Sequence, residues 1–186
     1  IVALDRDLSD NIPYVTSDNY NGGFLATNLL IDKGCRKLAH ISGPLEINTP
    51  ANKRYQAFVD VASGRNVEYI VKEAKLDLFN NYKKLIYSLF IDHPDIDGIF
   101  ASSDMIATAA IHVANEVGKE VPKDLKIVGY DDIGFASFIV PPLTTIRQPI
   151  KEMGELSIKV LIDQIEGKQV ERENVLPISL IERKTT

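Results

Sequence analysis

Short apolar runs alternate with longer amphipathic segments along the chain, and this alternation predicts the fold. Lys37–Ile41 and Ile96–Ala101 are mostly apolar, which is typical of short buried strands. Gly22–Lys33 instead carries Leu25 and Leu29 at helical spacing. Strands that alternate with helices of about 10–15 residues indicate βαβ units. The sequence therefore predicts an α/β fold with a doubly wound parallel sheet.

The same pattern predicts the position of each element. The predicted strands are Val2–Leu4, Tyr14–Thr16, Lys37–Ile41, Val67–Val71, Ile96–Ala101, Leu125–Val128, Thr144–Arg147 and Asn174–Ile181. The predicted helices are Gly22–Lys33, Pro50–Ser63, Asn80–Asp92, Met105–Val117 and Pro149–Glu166. The stretch Lys72–Asn81 fits a loop or a short helix equally well. The two prolines after Val140 exclude a helix or a central strand at that point.

Charge and cysteine content narrow the classes of function. The net charge is −5, whereas surfaces that bind phosphate backbones are strongly basic, so we expect this chain not to bind DNA by itself. The single cysteine, Cys35, excludes an internal disulfide, and we expect its thiol at the surface or half-buried. No apolar run is long enough to span a bilayer. The chain opens on a strand-like run without an initiator Met, so we expect it to be a piece of a longer polypeptide.

The sequence shows no motif for catalysis or metal binding. It contains no GxSxG elbow, HExxH pair, Walker loop or GxGxxG turn. His40, His93 and His112 lie far apart without metal-ligand spacing, and we expect His40 to be a packed, hydrogen-bonded residue. The sequence therefore predicts neither an enzyme nor a bound metal or cofactor.

Polar side chains follow five of the predicted strands. These residues are Asp5, Asp18, Ser42, the pair Ser102-Ser103 and the pair Asp131-Asp132. In open α/β sheets ligands bind outside the carboxyl ends of the strands, and carboxylates and hydroxyls suit a polyhydroxylated small molecule. Each residue alone also fits a cap or a turn, and Asp104 is predicted to be a helix N-cap.

One cation belongs to the same predicted edge of the sheet. Arg54 lies in the first turns of the helix that starts at Pro50, so it is placed near the strand ends. Its guanidinium either contacts a ligand or Asp131, or it is a solvated helix charge.

Several stretches together resemble the effector-binding core of the LacI/GalR family of bacterial transcription regulators. They are Leu4-Asp5-Arg6, Val15–Asn19 (VTSDN) with Gly22-Gly23, Leu29–Gly43 (LLIDKGCRKLAHISG), Arg54–Phe58, Gly98–Ala107 (GIFASSDMIA), Val121–Pro149 (VPKDLKIVGYDDIGFASFIVPPLTTIRQP) and Leu180–Thr185 (LIERKT). The resemblance covers essentially the whole chain, and the block from GYDD to RQP is its most specific part.

The resemblance implies a type I periplasmic-binding-protein-like fold, with one complete lobe and part of a second. Residues 1–18 and 149–176 would belong to the N-terminal lobe, and residues 19–148 and 177–186 to the C-terminal lobe. The family further implies a cytoplasmic homodimer without a membrane segment. It reaches operator DNA only through a helix-turn-helix head, which would precede this chain, and a small-molecule effector closes the two lobes.

The resemblance also assigns candidate residues to two sites. The effector contacts would be Asp5, Asp18, Arg54, Ser103 and Asp131, with Phe79 the nearest candidate for a stacking aromatic. The dimer contacts would be Ala107, Thr108, Phe138 and Ile139.

Three questions stay open at this stage. A sugar is the expected effector, but a nucleobase, a nucleoside or a phosphoprotein also occurs in the family. The alternative function on the same fold is a periplasmic sugar-binding protein of a transport system. For the apolar loop Gly134–Leu143, the alternative to dimerisation is burial under the chain's own helices.

Overall fold

The computed structural model describes residues 1–46, 48–74 and 79–186, and of residues 79 and 80 it describes the backbone only. The strands are β1 (Ala3–Leu4), β2 (Tyr14–Ser17), β3 (Lys37–Ser42), β4 (Glu68–Glu73), β5 (Gly98–Ala101), β6 (Lys126–Asp131), β7 (Thr144–Arg147), β8 (Glu173–Leu176) and β9 (Ser179–Ile181). The helices are α1 (Asn19–Asp32), α2 (Pro50–Gly64), α3 (Phe79–Asp92), α4 (Asp104–Glu116) and α5 (Ile150–Ile165).

The strands form two sheets. The small sheet has the order β1-β2-β8 and is parallel throughout. The large sheet has the order β4-β3-β5-β6-β7-β9 and is parallel except for β9, which runs antiparallel to β7. One apolar cluster packs α1 and α2 against the large sheet, and a second packs α3 and α4 against it. The predicted doubly wound α/β fold is confirmed.

The chain crosses between the two sheets at three places. It leaves the small sheet after β2, returns to it through α5 after β7, and leaves it again between β8 and β9. The lobe boundaries expected from the resemblance fall in these three segments. The assignment of residues 1–18 and 149–176 to one lobe, and of residues 19–148 and 177–186 to the other, stays a prediction.

The prediction of one strand over Asn174–Ile181 is wrong. Residues up to Leu176 pair with β2 in the small sheet, whereas Ser179–Ile181 pair with β7 in the large sheet. Pro177 lies between them and has no N–H to donate, so a continuous ladder through it would lose a hydrogen bond. The chain changes sheets at this residue.

The predicted starts of α2 and α4 differ in accuracy. Thr49 is the N-cap of α2 and Pro50 its first helical residue, so the predicted start of this helix at Pro50 is confirmed. For α4 the prediction is one residue off, because Ser103 is the N-cap and Asp104 already lies in the helix. This shift leaves the Asp104 carboxylate free for contacts in the core.

The expected exposure of Cys35 is also wrong. The side chain is buried beside Leu38 and Gly98, and its Sγ lies 3.4 Å from the carbonyl oxygen of Asp97. Burial raises the pKa of the thiol to about 11, so Cys35 is a protonated core residue.

Candidate functional site

The carboxyl ends of β1, β2, β5 and β6 carry four of the predicted residues, but two of these strands belong to each sheet, so the prediction of one common sheet edge is wrong. Asp5 follows β1, Asp18 follows β2, Ser103 follows β5 and Asp131 ends β6. Asp5 and Asp131 have backbone φ angles of +56° and +115°, which non-glycine residues rarely adopt. Such backbone strain tends to occur at functional sites.

Arg54 is buried and contacts residues that adjoin both sheets. The alternative of a solvated helix charge is therefore wrong. Its side chain, on α2, is only 8% exposed. The Nε group donates to Oδ1 of Asn19 at 2.7 Å, and Nη1 donates to the carbonyl oxygen of Ser102 at 2.7 Å. The guanidinium Cζ lies 3.6 Å from the centroid of the Tyr130 ring, and Nη1 lies 3.9 Å from Oδ1 of Asp131. These contacts fix the orientation of the cation.

Asp131 is linked to the small sheet through a glutamine. Gln148 donates from Nε2 to Oδ1 of Asp131 at 2.8 Å, and its Oε1 accepts a hydrogen bond from Ser17 Oγ at 2.7 Å. Burial raises the pKa of Asp131, while Arg54 and Gln148 act in the opposite direction. A carboxylate can accept about four hydrogen bonds, so this group retains capacity for the hydroxyls of a ligand.

Asp5 faces a cavity between the small sheet and the start of α2. Its Oδ1 accepts a hydrogen bond from Thr16 Oγ1 at 2.8 Å. The cavity has a volume of about 120 Å³. Asp5 is the predicted effector contact that lines it. Other polar residues around it include Thr16, Asn19, Asn48, Thr49 and Lys53. The cavity therefore presents hydroxyls, amides and charges of both signs.

Asp18 and Ser103 serve as helix caps in this structure. Asp18 Oδ1 accepts from the backbone N–H of Asn21 at 3.0 Å at the start of α1. Ser103 Oγ accepts from the backbone N–H of Ile106 at 3.3 Å at the start of α4. The side chain of Phe79 lies outside the described residues. A contact of any of these three residues with an effector stays a prediction.

The residues that sequence reasoning missed are amides on the segments that cross between the sheets. Asn19 bonds Arg54, and Gln148 joins Asp131 to Ser17. The rule that found the carboxylates would also have found them, because each follows the carboxyl end of a strand. Only the contacts show that their partners are the charged groups.

Two further aspartates brace the turn after β6. Asp104 accepts from Thr145 Oγ1 at 2.5 Å and from the N–H of Ile133 at 2.9 Å, and burial raises its pKa to about 6. Asp132 forms ion pairs with Arg147 and Arg183. Burial raises the pKa of Asp132, but the hydrogen bonds from Arg183 and Arg147 outweigh it and lower the pKa overall.

His40 has the packed role that the sequence predicts. Its ring stacks on Phe58 and lies near Phe100, and its Nδ1 is 2.9 Å from the carbonyl oxygen of Phe100. Burial lowers the pKa of His40 to about 3, so the ring is neutral near pH 7. Within residues 1–46, 48–74 and 79–186, no group of three or more His, Cys, Asp or Glu residues is placed to hold a metal ion. No helix in the described part of the chain is long and apolar enough to cross a membrane.

The predicted dimer residues differ widely in exposure. Phe138 is 81% exposed, Ile139 is half-buried against the core, and Thr108 is half-buried and donates to the carbonyl oxygen of Asp104. Ala107 is fully buried within the core cluster, so its side chain offers no surface to a partner. The exposed apolar residues of the Gly134–Leu143 loop are Phe135, Phe138 and Val140.

Comparison with known proteins identifies the family. A model of the periplasmic binding protein-like domain matches residues 27–186. The ribose operon repressor of Halalkalibacterium halodurans is 43% identical over 187 aligned residues, which cover 100% of this chain and 56% of the repressor. The chain belongs to the LacI family of transcriptional regulators, within the periplasmic binding protein-like domain family.

Two solved structures share this fold closely. The periplasmic binding protein/LacI transcriptional regulator from Alkaliphilus metalliredigens, complexed with D-xylulofuranose, has a TM-score of 0.91 at 34% identity, over 100% of this chain and 70% of that one. The complex of the transcriptional regulator CelR with cellobiose has a TM-score of 0.91 at 32% identity, over 100% of this chain and 58% of CelR. The chain spans a little over half the length of the ribose operon repressor that it matches.

Proposed function

We propose that this chain is the effector-binding and dimerising core of a cytoplasmic DNA-binding repressor that responds to a small sugar. The observation that carries the proposal is the convergence of Arg54 and Asp131 at the carboxyl ends of the strands. A planar guanidinium and a carboxylate together offer paired donors and acceptors, which match neighbouring sugar hydroxyls. The relatives support this reading, since they are regulators named for, or solved with, a sugar.

Binding rather than catalysis accounts for the arrangement of these groups. Arg54 is fixed by Asn19, Ser102 and Tyr130 before any ligand enters, and a fixed cation orients a ligand at little entropic cost. A ligand that touches Asp5 beside the small sheet and Asp131 on the large sheet favours one relative orientation of the two sheets. Such a shift in orientation is how a bound effector would change the pose of DNA-binding heads across a dimer.

Operator DNA would be bound by a part of the protein other than this chain. Because the net charge of this chain is −5, we expect it to bind the phosphate backbone of DNA poorly. A gel shift of this chain with operator-like duplex at low salt should show no binding, and submicromolar, salt-sensitive binding would contradict the proposal. The transport alternative lacks comparable support, because the named relatives are transcriptional regulators.

Isothermal titration calorimetry of the protein that carries this chain tests the effector site. The probes are ribose, D-xylulose and cellobiose, with adenosine as the nucleoside alternative. Arg54→Ala and Asp131→Asn should each weaken the binding of the sugar that wild type binds by tenfold or more, since each removes a charged group that would bond the sugar hydroxyls. Arg65→Ala is the control, because Arg65 is an exposed cation at the end of α2 that pairs with Asp32. Equal binding by wild type and both site variants would refute the proposed site.

The homodimer is proposed on the exposed part of the Gly134–Leu143 loop. Phe135, Phe138 and Val140 expose apolar side chains within a stretch of six residues, which is unusual for a loop that faces water. A second copy of this chain is the proposed partner for this surface.

A further inference from the structure

A buried amide on the segment between the sheets contacts Arg54. Asn19 is the first residue of α1, two positions after the end of the small-sheet strand β2, and the residue is 1% exposed. Its Oδ1 accepts the hydrogen bond from Arg54 Nε at 2.7 Å. A buried polar group without its partner is costly, so Asn19 and Arg54 constrain each other strongly.

The other end of the same amide is bound to the small sheet. Asn19 Nδ2 donates to the carbonyl oxygen of Ser17 at 2.9 Å and to Thr16 Oγ1 at 3.2 Å. Thr16 Oγ1 in turn donates to Oδ1 of Asp5 at 2.8 Å. A continuous chain of hydrogen bonds therefore joins Asp5 at the end of the small sheet to Arg54 on the helix layer of the large sheet.

The packing of the two helices holds this chain of contacts together. A Cβ at Gly23 would lie 2.6 Å from the carbonyl oxygen of Arg54, so α1 approaches α2 this closely only because residue 23 is a glycine. On its other side the guanidinium rests on Tyr130. Arg54 Nη2 has no hydrogen-bond partner among the residues that the structure describes, whereas Nε and Nη1 are both occupied.

We propose that Asn19 is a positioning residue of the effector site: it fixes the Arg54 guanidinium from the small sheet, so that effector affinity depends on the Asn19–Arg54 contact. Only the expected change in effector affinity rests on the proposed function. The effector would meet a cation whose free edge has been oriented in advance by the segment that connects the two sheets. Asn19 itself need not touch the effector.

The first test observes Arg54 without any effector. The probe is the Nε–Hε resonance of Arg54 in ¹H–¹⁵N spectra of the protein that carries this chain, assigned by its loss in Arg54→Lys. The stacked ring of Tyr130 and the Asn19 acceptor should give wild type a shifted, slowly exchanging signal. Asn19→Ala should move it towards the position of exposed arginines. Asn19→Asp keeps an acceptor oxygen for Arg54 but loses the Nδ2 donor to Ser17 and Thr16, so it should retain most of the shift.

Asn28→Ala is the matched control. Asn28 lies on the same helix, and its Oδ1 also accepts from an arginine of the α2 end, Arg65 Nη1, at 3.1 Å. This variant removes an equivalent contact between the helices away from the strand ends. It should leave the Arg54 resonance and the effector affinity unchanged.

The second test measures affinity by calorimetry with the sugar that wild type binds. Asn19→Ala should weaken binding about tenfold, the loss typical of a hydrogen bond to a charged group, and Asn19→Asp should restore it to within about threefold. An unchanged Arg54 resonance in folded Asn19→Ala overturns the proposal, as does unchanged affinity. If Asn19→Ala does not fold, Asn19→Ser, whose shorter side chain cannot span the same distance, takes its place with the same expected outcomes. If wild type binds none of the sugars, the proposed function fails while the resonance still decides the role of Asn19.

Discussion

The guanidinium of Arg54 lies over the ring of Tyr130, with its Cζ 3.6 Å from the ring centroid. Tyr130 is fully buried, and its hydroxyl has no hydrogen-bond partner in the described part of the chain. The ring therefore supports the cation by its face. Burial also raises the pKa of Tyr130 to about 12, so the ring is uncharged beneath the arginine.

Substitutions of Tyr130 separate the ring from the hydroxyl. Tyr130→Phe keeps the stacked face and should leave the free energy of unfolding within about 1 kcal/mol of wild type. Tyr130→Leu removes the face and leaves a cavity, so it should cost roughly 2–4 kcal/mol and weaken effector binding as well. Urea unfolding curves measure the first quantity and calorimetry the second. A Phe variant as unstable as the Leu variant would show that the hydroxyl is essential.

Gly129 is predicted to tolerate no side chain. A Cβ at this position would lie 2.3 Å from Asp104 Oδ1 and 3.0 Å from Leu143 Cδ2. Gly129→Ala should therefore lower the free energy of unfolding by roughly 1–3 kcal/mol, the usual cost of overpacking. Gly134→Ala is the control, because a Cβ there meets no atom within 4 Å. Equal stability of the two variants in urea unfolding would contradict the close approach of Gly129 to Asp104.

His40 should make the protein less stable as the pH falls. Its pKa is lowered by burial to about 3 in the folded protein, from 6.5 for an ordinary histidine. The unfolded chain therefore binds the proton more readily, so the contribution of His40 is full above pH 6.5 and is lost between pH 6.5 and about 3. The free energy of unfolding of His40→Phe should fall less steeply over this range than that of wild type.

Asp104 changes the free energy of unfolding with pH in the opposite direction to His40, so the two contributions have to be separated. Its folded pKa is raised to about 6 from 3.8, so its contribution is present below pH 3.8 and is lost as the pH rises to 6. Wild type and His40→Phe both contain Asp104, so the difference between their pH profiles of stability isolates the contribution of the histidine. Chemical denaturation at several pH values measures it. Parallel pH profiles would show that His40 is not held neutral by the fold.

Phe138 should determine the oligomeric state. Phe138→Asp places a charge in the centre of the exposed apolar surface of the Gly134–Leu143 loop, and we expect a folded monomer where wild type is a dimer. Phe24→Asp alters another exposed phenylalanine, on α1, and should leave the dimer intact. Light scattering gives the mass, and circular dichroism checks the fold. A folded Phe138→Asp dimer, or a monomeric wild type, would refute the proposed interface.

The sequence predicted the large sheet well because its strands and helices alternate within short distances along the chain. The carboxyl-end rule found Asp5 and Asp131, although it could not tell that they belong to two different sheets, or a ligand contact from a cap. Asp18 and Ser103 cap helices in the structure, which is the ordinary role of Asp and Ser at those positions.

The features that could not be predicted depend on distant parts of the chain. The change of sheet at Pro177 depends on which strand each half of the segment pairs with. The burial of Cys35 depends on the close approach of Gly98, and the fixed pose of Arg54 depends on Asn19, Tyr130 and Ser102. Local periodicity carries no information on such pairings, because they are set by the packing of whole elements.

The pairing of strands in the small sheet affects how the protein folds while it is being synthesised. β2 pairs with β1 on one side, but on the other side Tyr14 pairs with Glu173, so this second edge of β2 waits for its partner until nearly the whole described chain has left the ribosome. Until then one edge of β2 is unpaired, and an unpaired strand edge is a site for wrong pairing or for capture by a chaperone. The large sheet, apart from its last strand, can form earlier from neighbouring units. Nascent chains that stop before Glu173 should therefore be the ones that aggregate.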